Sequence, residues 1–149
     1  MAICRRYLPD NAEAQDMHQD GFVRCYQALK TFRGEGSLEG WVRRVFVSTC
    51  LDALRRNRRA EVFEQNLDEA AEVSAPADNS FLLEADAAYL MKAISGLPEG
   101  ARVVFNLFAV EGYTHTEVAR TLGITEGTSR AHVTRARMLL KTRLATYIS

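Results

Sequence analysis

The sequence lacks several features that would settle its chemistry at once. No apolar run reaches the roughly 18–20 residues that a membrane-spanning helix needs, so membrane insertion is not expected. The opening Met1-Ala2-Ile3-Cys4-Arg5-Arg6 has no long apolar stretch behind its basic pair, and no secretory leader is expected there. Only three cysteines occur, Cys4, Cys25 and Cys50, and no two form a C-x-x-C pair. That usage suits reduced thiols in a cytoplasmic protein better than a disulfide framework or a zinc site. The three histidines, His18, His115 and His132, share no metal-ligand spacing. Cys25 with His18 makes a poor nucleophile–base pair, because both fall on or beside the buried stripe of one predicted helix. Alternating strand patterns, internal repeats and low-complexity tracts are missing as well. No catalytic residue, metal or cofactor is therefore expected.

Net charge is also missing, with 19 Lys and Arg against 19 Asp and Glu. A uniformly neutral chain would argue against a polyanionic partner, but here the charge is segregated. Residues 43–59 hold six arginines against the single acid Asp52. Residues 60–80 hold six acids (Glu61, Glu64, Asp68, Glu69, Glu72, Asp78) and no base. Residues 115–143 are basic again, with Arg120, Arg130, Arg135, Arg137, Lys141 and Arg143 against Glu117 and Glu126. Solvated helix faces explain any one of these blocks. Two basic blocks around an acidic one point further, to two polyanion contacts joined by a self-repelling connector.

What is present is helical periodicity, and 47% hydrophobic residues to build cores with. A first long helix is predicted from about Ala12 to Leu29, burying Ala14, Met17, Gly21, Cys25 and Leu29. Thr31-Phe32-Arg33-Gly34-Glu35-Gly36 breaks it. Ser37 is placed to cap the next helix and Glu39 to complement its positive end. That helix runs to about Arg56, with Leu38, Trp41, Val42, Val45 and Thr49 on one side. The acidic stretch, interrupted by Ser74-Ala75-Pro76, reads as a flexible linker. A second helical unit starts near Phe81, and Leu97-Pro98-Glu99 opens a further helix that Gly112 ends. The fold class is thus all-α: two small helical domains, 1–57 and 81–149, joined by an acidic linker over 58–80.

The sharpest local signal is Thr116-Glu117-Val118-Ala119-Arg120-Thr121-Leu122-Gly123-Ile124-Thr125-Glu126-Gly127-Thr128. A helix-turn-helix needs a small residue where its helices cross, supplied by Ala119, and a residue tolerant of positive φ in the turn, supplied by Gly123. Val118, Leu122 and Ile124 fill the wedge, over helices predicted at about His115–Leu122 and Thr125–Ala145. The second of these buries Val133, Ala136, Leu140 and Leu144. Arg130 and Arg137 then share an outward edge, with His132 and Arg135 on the far side. A recognition helix that reads base edges and grips phosphate fits this pattern. A helical hairpin packed on another protein, its arginines solvated, remains the plainer alternative.

Two stretches resemble the extracytoplasmic-function (ECF) subfamily of bacterial RNA polymerase sigma factors. The first is Asn11-Ala12-Glu13-Ala14-Gln15-Asp16-Met17-His18-Gln19-Asp20-Gly21-Phe22, similar to the family's A-E-D-x-x-Q-E-x-F. It continues through Phe32-Arg33-Gly34, Trp41-Val42-Arg43-Arg44 and Leu51-Asp52-Ala53-Leu54-Arg55-Arg56. The second runs from Leu97-Pro98-Glu99 to Arg137. The resemblance implies a transcription initiation factor, not an enzyme, that binds core RNA polymerase through its β′ clamp helices and β flap. It also implies promoter DNA and an anti-sigma factor as partners, and a cytoplasmic location.

Residue roles follow from the same resemblance. Asp16, Gln19, Asp20 and Val23, at i, i+3, i+4 and i+7, would form the polymerase-docking stripe. Phe32 and Arg33 would capture a flipped base of the minus-ten element, although a buried Phe32 fits the residues equally. Arg43, Arg44, Ser48, Arg55 and Arg56 would hold the melted strand. Glu126, Gly127, Thr128, Arg130, His132, Arg135 and Arg137 would face the minus-thirty-five element. The acidic linker would thread the polymerase channels and discourage DNA binding by the free chain. The resemblance also implies departures. The chain begins where the family's first helix should be ending, with Cys4-Arg5-Arg6-Tyr7-Leu8 as its tail. Ser48 replaces a frequent asparagine, and Ser129-Arg130-Ala131-His132 replaces valine, lysine, serine and arginine, so that Ser129 weakens an apolar anchor. A different helix-turn-helix regulator, or a truncated sigma-like decoy for polymerase or anti-sigma, stands as the alternative.

Overall fold

The computed structural model describes residues 1–57 and 86–148. The expected acidic linker and the expected helix start near Phe81 lie outside the described residues. Among the described residues every regular element is helical, and the chain divides into two units, Met1–Arg59 and Ala60–Ser149.

The N-terminal unit consists of α1 (Ala2–Tyr7), α2 (Asn11–Ala28) and α3 (Leu38–Asn57), each packed on the other two. Asp10 caps α2 by accepting from the Glu13 backbone N–H at 3.0 Å, and Ser37 does the same for α3 through the Gly40 N–H at 3.0 Å. The stripe expected on α3 is off-centre. Its buried residues are Phe46, Val47, Thr49, Cys50, Leu51, Ala53 and Leu54, whereas Leu38 is exposed and Trp41, Val42 and Val45 are half-buried. The reason is that α3 meets two helices, so its buried face is wider than one stripe and shifted toward its C-terminal half. Leu29 is also exposed, because α2 ends at Ala28 and the chain leaves through a single 3-10 turn, Leu29–Thr31.

Two contacts within this unit were invisible to spacing. Cys4 of α1 and Cys50 of α3 are fully buried and unbridged, and their thiols share a hydrogen bond. That bond holds Cys4 down at about 7 and pushes Cys50 well up. Arg24 of α2 pairs with Asp52 of α3 at 2.7 Å, and Arg55 approaches the same carboxylate at 3.4 Å.

The C-terminal unit contains α4 (Ala87–Ser95), α5 (Glu99–Phe105), α6 (His115–Leu122) and α7 (Glu126–Ile148). Its core joins Ala93, Ile94 and Leu97 to Ala101 and Phe105 of α5 and to Ala136, Leu140 and Leu144 of α7. Beyond α5 the coil widens into a π turn, Asn106–Val110, and the chain then reverses at Gly112. This turn carries Phe108 toward the first residue of α6.

Candidate nucleic-acid interface

The helix-turn-helix forms as its residues dictate. Thr114 and Glu117 make a reciprocal capping box at the start of α6: the Thr114 N–H donates to Glu117 Oε2 at 2.7 Å and the Glu117 N–H to Thr114 Oγ1 at 3.1 Å. These bonds hold the Glu117 carboxyl below its usual range, the Thr114 backbone N–H contributing most. Gly123 ends α6 with φ +68°, the left-handed conformation for which a glycine was expected there. Thr125 then caps α7, its Oγ1 accepting from the Thr128 N–H at 3.1 Å. Val133, Ala136, Leu140 and Leu144 are all buried, as their spacing requires.

The N-terminal turns of α7 carry the polar groups of interest. Arg130 is exposed and pairs with Glu126 at 3.1 Å. Glu126 also accepts from Thr116 Oγ1 of α6 at 2.9 Å, which with Arg130 holds its carboxyl below the usual range. Gly127 is exposed and Thr128 half-buried beside them. Ser129 is fully buried, and its hydroxyl lies 2.9 Å from His115 Nδ1. A polar residue at the anchor position is thus matched by a polar partner. His115 stacks on Phe108 at 4.2 Å, and the Arg137 guanidinium lies over the Phe108 ring at 5.9 Å. Burial, then Arg130, holds the His115 imidazole below its ordinary value, Arg137 adding to this and Glu126 opposing it.

One expected site residue is corrected. His132 is only 1% exposed, and its ring lies against α5, where a Cβ on Gly100 would stand 2.7 Å from its Cε1. It sits one turn before Ala136 on the buried face and cannot reach a groove from there. Arg135 and Arg137 are half-buried; Arg137 lies two turns along Arg130's edge of α7 but is less open than Arg130. Sequence reasoning missed Thr116 and His115, which α6 brings to α7 across the turn.

In the N-terminal unit, Arg24, Trp41, Arg44, Val45 and Ser48 line a shallow groove of about 280 Å³. Trp41, Arg44 and Ser48 recur at i, i+3 and i+7 on one side of α3. Phe32 is half-buried against Trp41, ring centres 5.6 Å apart, and Arg33 beside it is exposed. Arg43, Arg55 and Arg56 are exposed elsewhere along α3, Arg55 facing Asp52. Asp16, Gln19, Asp20 and Val23 all lie open on α2. Phe22 at 68% and Tyr26 at 79% exposure extend that surface, and sequence reasoning overlooked both. Among the described residues no three His, Cys, Asp or Glu side chains gather as metal ligands, and no helix is long and apolar enough to cross a membrane.

The Sigma-70 region 2 family matches residues 1–60, and the Sigma-70 region 4 family matches residues 87–140. The chain is 31% identical to the RNA polymerase sigma-H factor of Pseudomonas aeruginosa, over 92% of its length and 76% of that protein's. It is 30% identical to the ECF RNA polymerase sigma-E factor of Escherichia coli, over 91% and 75%. The chain belongs to the ECF sigma factors. A 28% match to the ECF RNA polymerase sigma factor SigE of Mycolicibacterium smegmatis spans 99% of this sigma chain but 58% of that longer protein. Among solved structures, the sigma factor RpoE of Bartonella quintana, crystallised with the anti-sigma factor NepR, superposes with a TM-score of 0.58. That match covers 97% of this chain and 88% of the other at 19% identity, and it speaks for the fold alone.

Proposed function

We propose that this chain directs core RNA polymerase to promoters through contacts divided between its two units. The exposed face of α2, from Asp16 to Tyr26, docks on the polymerase. The groove beside Trp41, with Arg44, Ser48 and the neighbouring Phe32 and Arg33, takes the opened minus-ten strand. The start of α7, with Gly127, Thr128 and Arg130, enters the major groove at the minus-thirty-five element, and Arg135 and Arg137 face the flanking phosphates. The observation that carries this reading is that both DNA-recognition regions occur in one chain, in family order. A stand-alone helix-turn-helix regulator has no use for the first of them.

Such a chain supplies binding free energy and no chemical step. It favours a locally opened duplex by holding bases that closed DNA does not present. Its place of work is then the cytoplasm, with polymerase and DNA. The Bartonella quintana neighbour, bound to NepR, supports an anti-sigma partner for this chain too.

Run-off transcription with core polymerase tests the reading. The chain, given a duplex it selects, is expected to yield a discrete product that core enzyme alone does not. Polymerase binding without any product would favour a sigma-like decoy, and no polymerase binding would favour an independent regulator.

A further inference from the structure

Both oxygens of the Glu126 carboxylate are engaged. Oε1 accepts from Thr116 Oγ1 at 2.9 Å, across the turn of the motif, and Oε2 accepts from Arg130 Nη2 at 3.1 Å, one helical turn along α7. A carboxylate at the mouth of a DNA-facing surface repels phosphate, so its value there must lie in what it holds. What it holds is the exposed cation of that surface. A loose arginine grips any phosphate within reach, whereas base reading needs its planar fork in one orientation. A guanidinium tied by one nitrogen to an anchored carboxylate keeps its remaining donors in that orientation. The anchor matters, because Glu126 alone would swing with Arg130; Thr116 fixes it to the other helix.

We infer that Glu126, tethered by Thr116, is a positioning residue that orients Arg130 for base recognition and does not itself contact DNA. This rests on the reading of α7 as the recognition helix. Thr116 and Glu126 then set sequence discrimination, while the phosphate contacts set affinity.

The test uses polymerase holoenzyme assembled with the full chain and a duplex library randomised over the minus-thirty-five segment. Selected duplexes and their single-base variants are then titrated by fluorescence anisotropy. Arg130→Ala comes first: if it selects the same motif as the parent chain, Arg130 reads no base and the underlying reading fails. Given an altered motif, two further variants decide the inference. Thr116→Val removes the tether without changing charge, and Glu126→Gln weakens the hold on Arg130 while keeping an acceptor for Thr116. Each is expected to lower discrimination at the Arg130-dependent base about three- to tenfold, part of what a bidentate arginine contributes. Affinity for unrelated duplex should be unchanged in Thr116→Val and should rise in Glu126→Gln, which removes a repelling charge. In an Arg130→Ala background neither should alter discrimination further. Undiminished discrimination in Thr116→Val overturns the tether, and equal losses with and without Arg130 would make Glu126 a direct contact instead.

Discussion

Gly21 of α2 lies beneath the ring of Phe46 on α3, so close that a Cβ there would stand 2.5 Å from Cδ1 and 2.6 Å from Cε1. Phe46 is buried and its ring also meets His18 at 5.5 Å, so it has little room to yield. Gly21→Ala would gain about 1 kcal/mol of helix propensity in this mid-helix position. The overlap costs more, since overpacking a core typically loses about 1–3 kcal/mol. The expected outcome is a net destabilisation of up to about 2 kcal/mol in the N-terminal unit. Trp41 is the chain's one tryptophan and lies in that unit, so its fluorescence during denaturant unfolding reads the effect. With Phe46→Leu also present, Gly21→Ala should become neutral or stabilising.

Arg130 and His132 stand two residues apart on α7 and should fail in opposite ways. Arg130 is open to solvent, and its ion pair with Glu126 is exposed on both sides. Arg130→Ala should change stability by no more than about 0.5 kcal/mol yet weaken promoter binding by about 1–3 kcal/mol. Polymerase association should be intact. His132→Ala removes a buried ring from the face against α5, which should cost about 2–4 kcal/mol of stability. At a temperature where both variants are folded, His132→Ala should bind promoter nearly as the parent chain does. Circular-dichroism melts and duplex titrations separate the two.

The contrast shows where the sequence was legible. The left-handed turn at Gly123 and the Val133–Leu144 stripe are local patterns that the sequence alone predicts, and both are present. The same spacing places Ser129 and His132 one turn ahead of Val133 and Ala136. The family resemblance instead puts His132 at the DNA face and marks Ser129 as a weakened anchor. A buried polar side chain needs a partner or a close fit, and these came from His115 and Gly100, which are distant in sequence. The shifted face of α3 has the same origin. Nothing local says that α1 will cover its far side and bring Cys4 to Cys50. The promoter-facing roles proposed for Phe32, Arg44 and Ser48 rest on resemblance, since an arginine-rich helix by itself fits a solvated surface.

Acidification should loosen the C-terminal unit through His115. Its imidazole sits between Phe108 and Ser129, and burial, then Arg130, keeps its folded-state value depressed, with Arg137 assisting. The sign follows from linkage. As pH falls past about 6.5, the ordinary histidine value, the unfolded chain takes up a proton before the folded one does. Stability is therefore full above that pH and declines until the depressed folded value is passed. His115→Gln keeps an amide within reach of Ser129 but cannot titrate. Its thermal unfolding, followed by circular dichroism, should fall less between neutral and mildly acidic pH than that of the parent chain. An identical decline in both would assign the acid sensitivity elsewhere.

The exposed face of α2 carries the most direct test of polymerase docking. Phe22, Val23, Tyr26 and Leu29 lie at least half exposed along some two turns of helix, beside Asp16, Gln19 and Asp20. A contiguous apolar surface rimmed by acids is the anatomy of an interface that buries aromatics at its centre and pairs charges at its rim. Tyr26 is the most exposed of these side chains and touches little within its own unit, so its loss should leave the fold unharmed. A buried aromatic anchor typically contributes about 2 kcal/mol or more to binding. Tyr26→Ala is thus expected to weaken core-polymerase association about thirtyfold, the equivalent of 2 kcal/mol. Asp16→Asn and Asp20→Asn together should act mainly on the association rate and lose their effect at high salt. Surface-capture kinetics with immobilised core enzyme measure both. Were Tyr26→Ala to bind as tightly as the parent chain, the docking surface would have to lie on another face of the N-terminal unit.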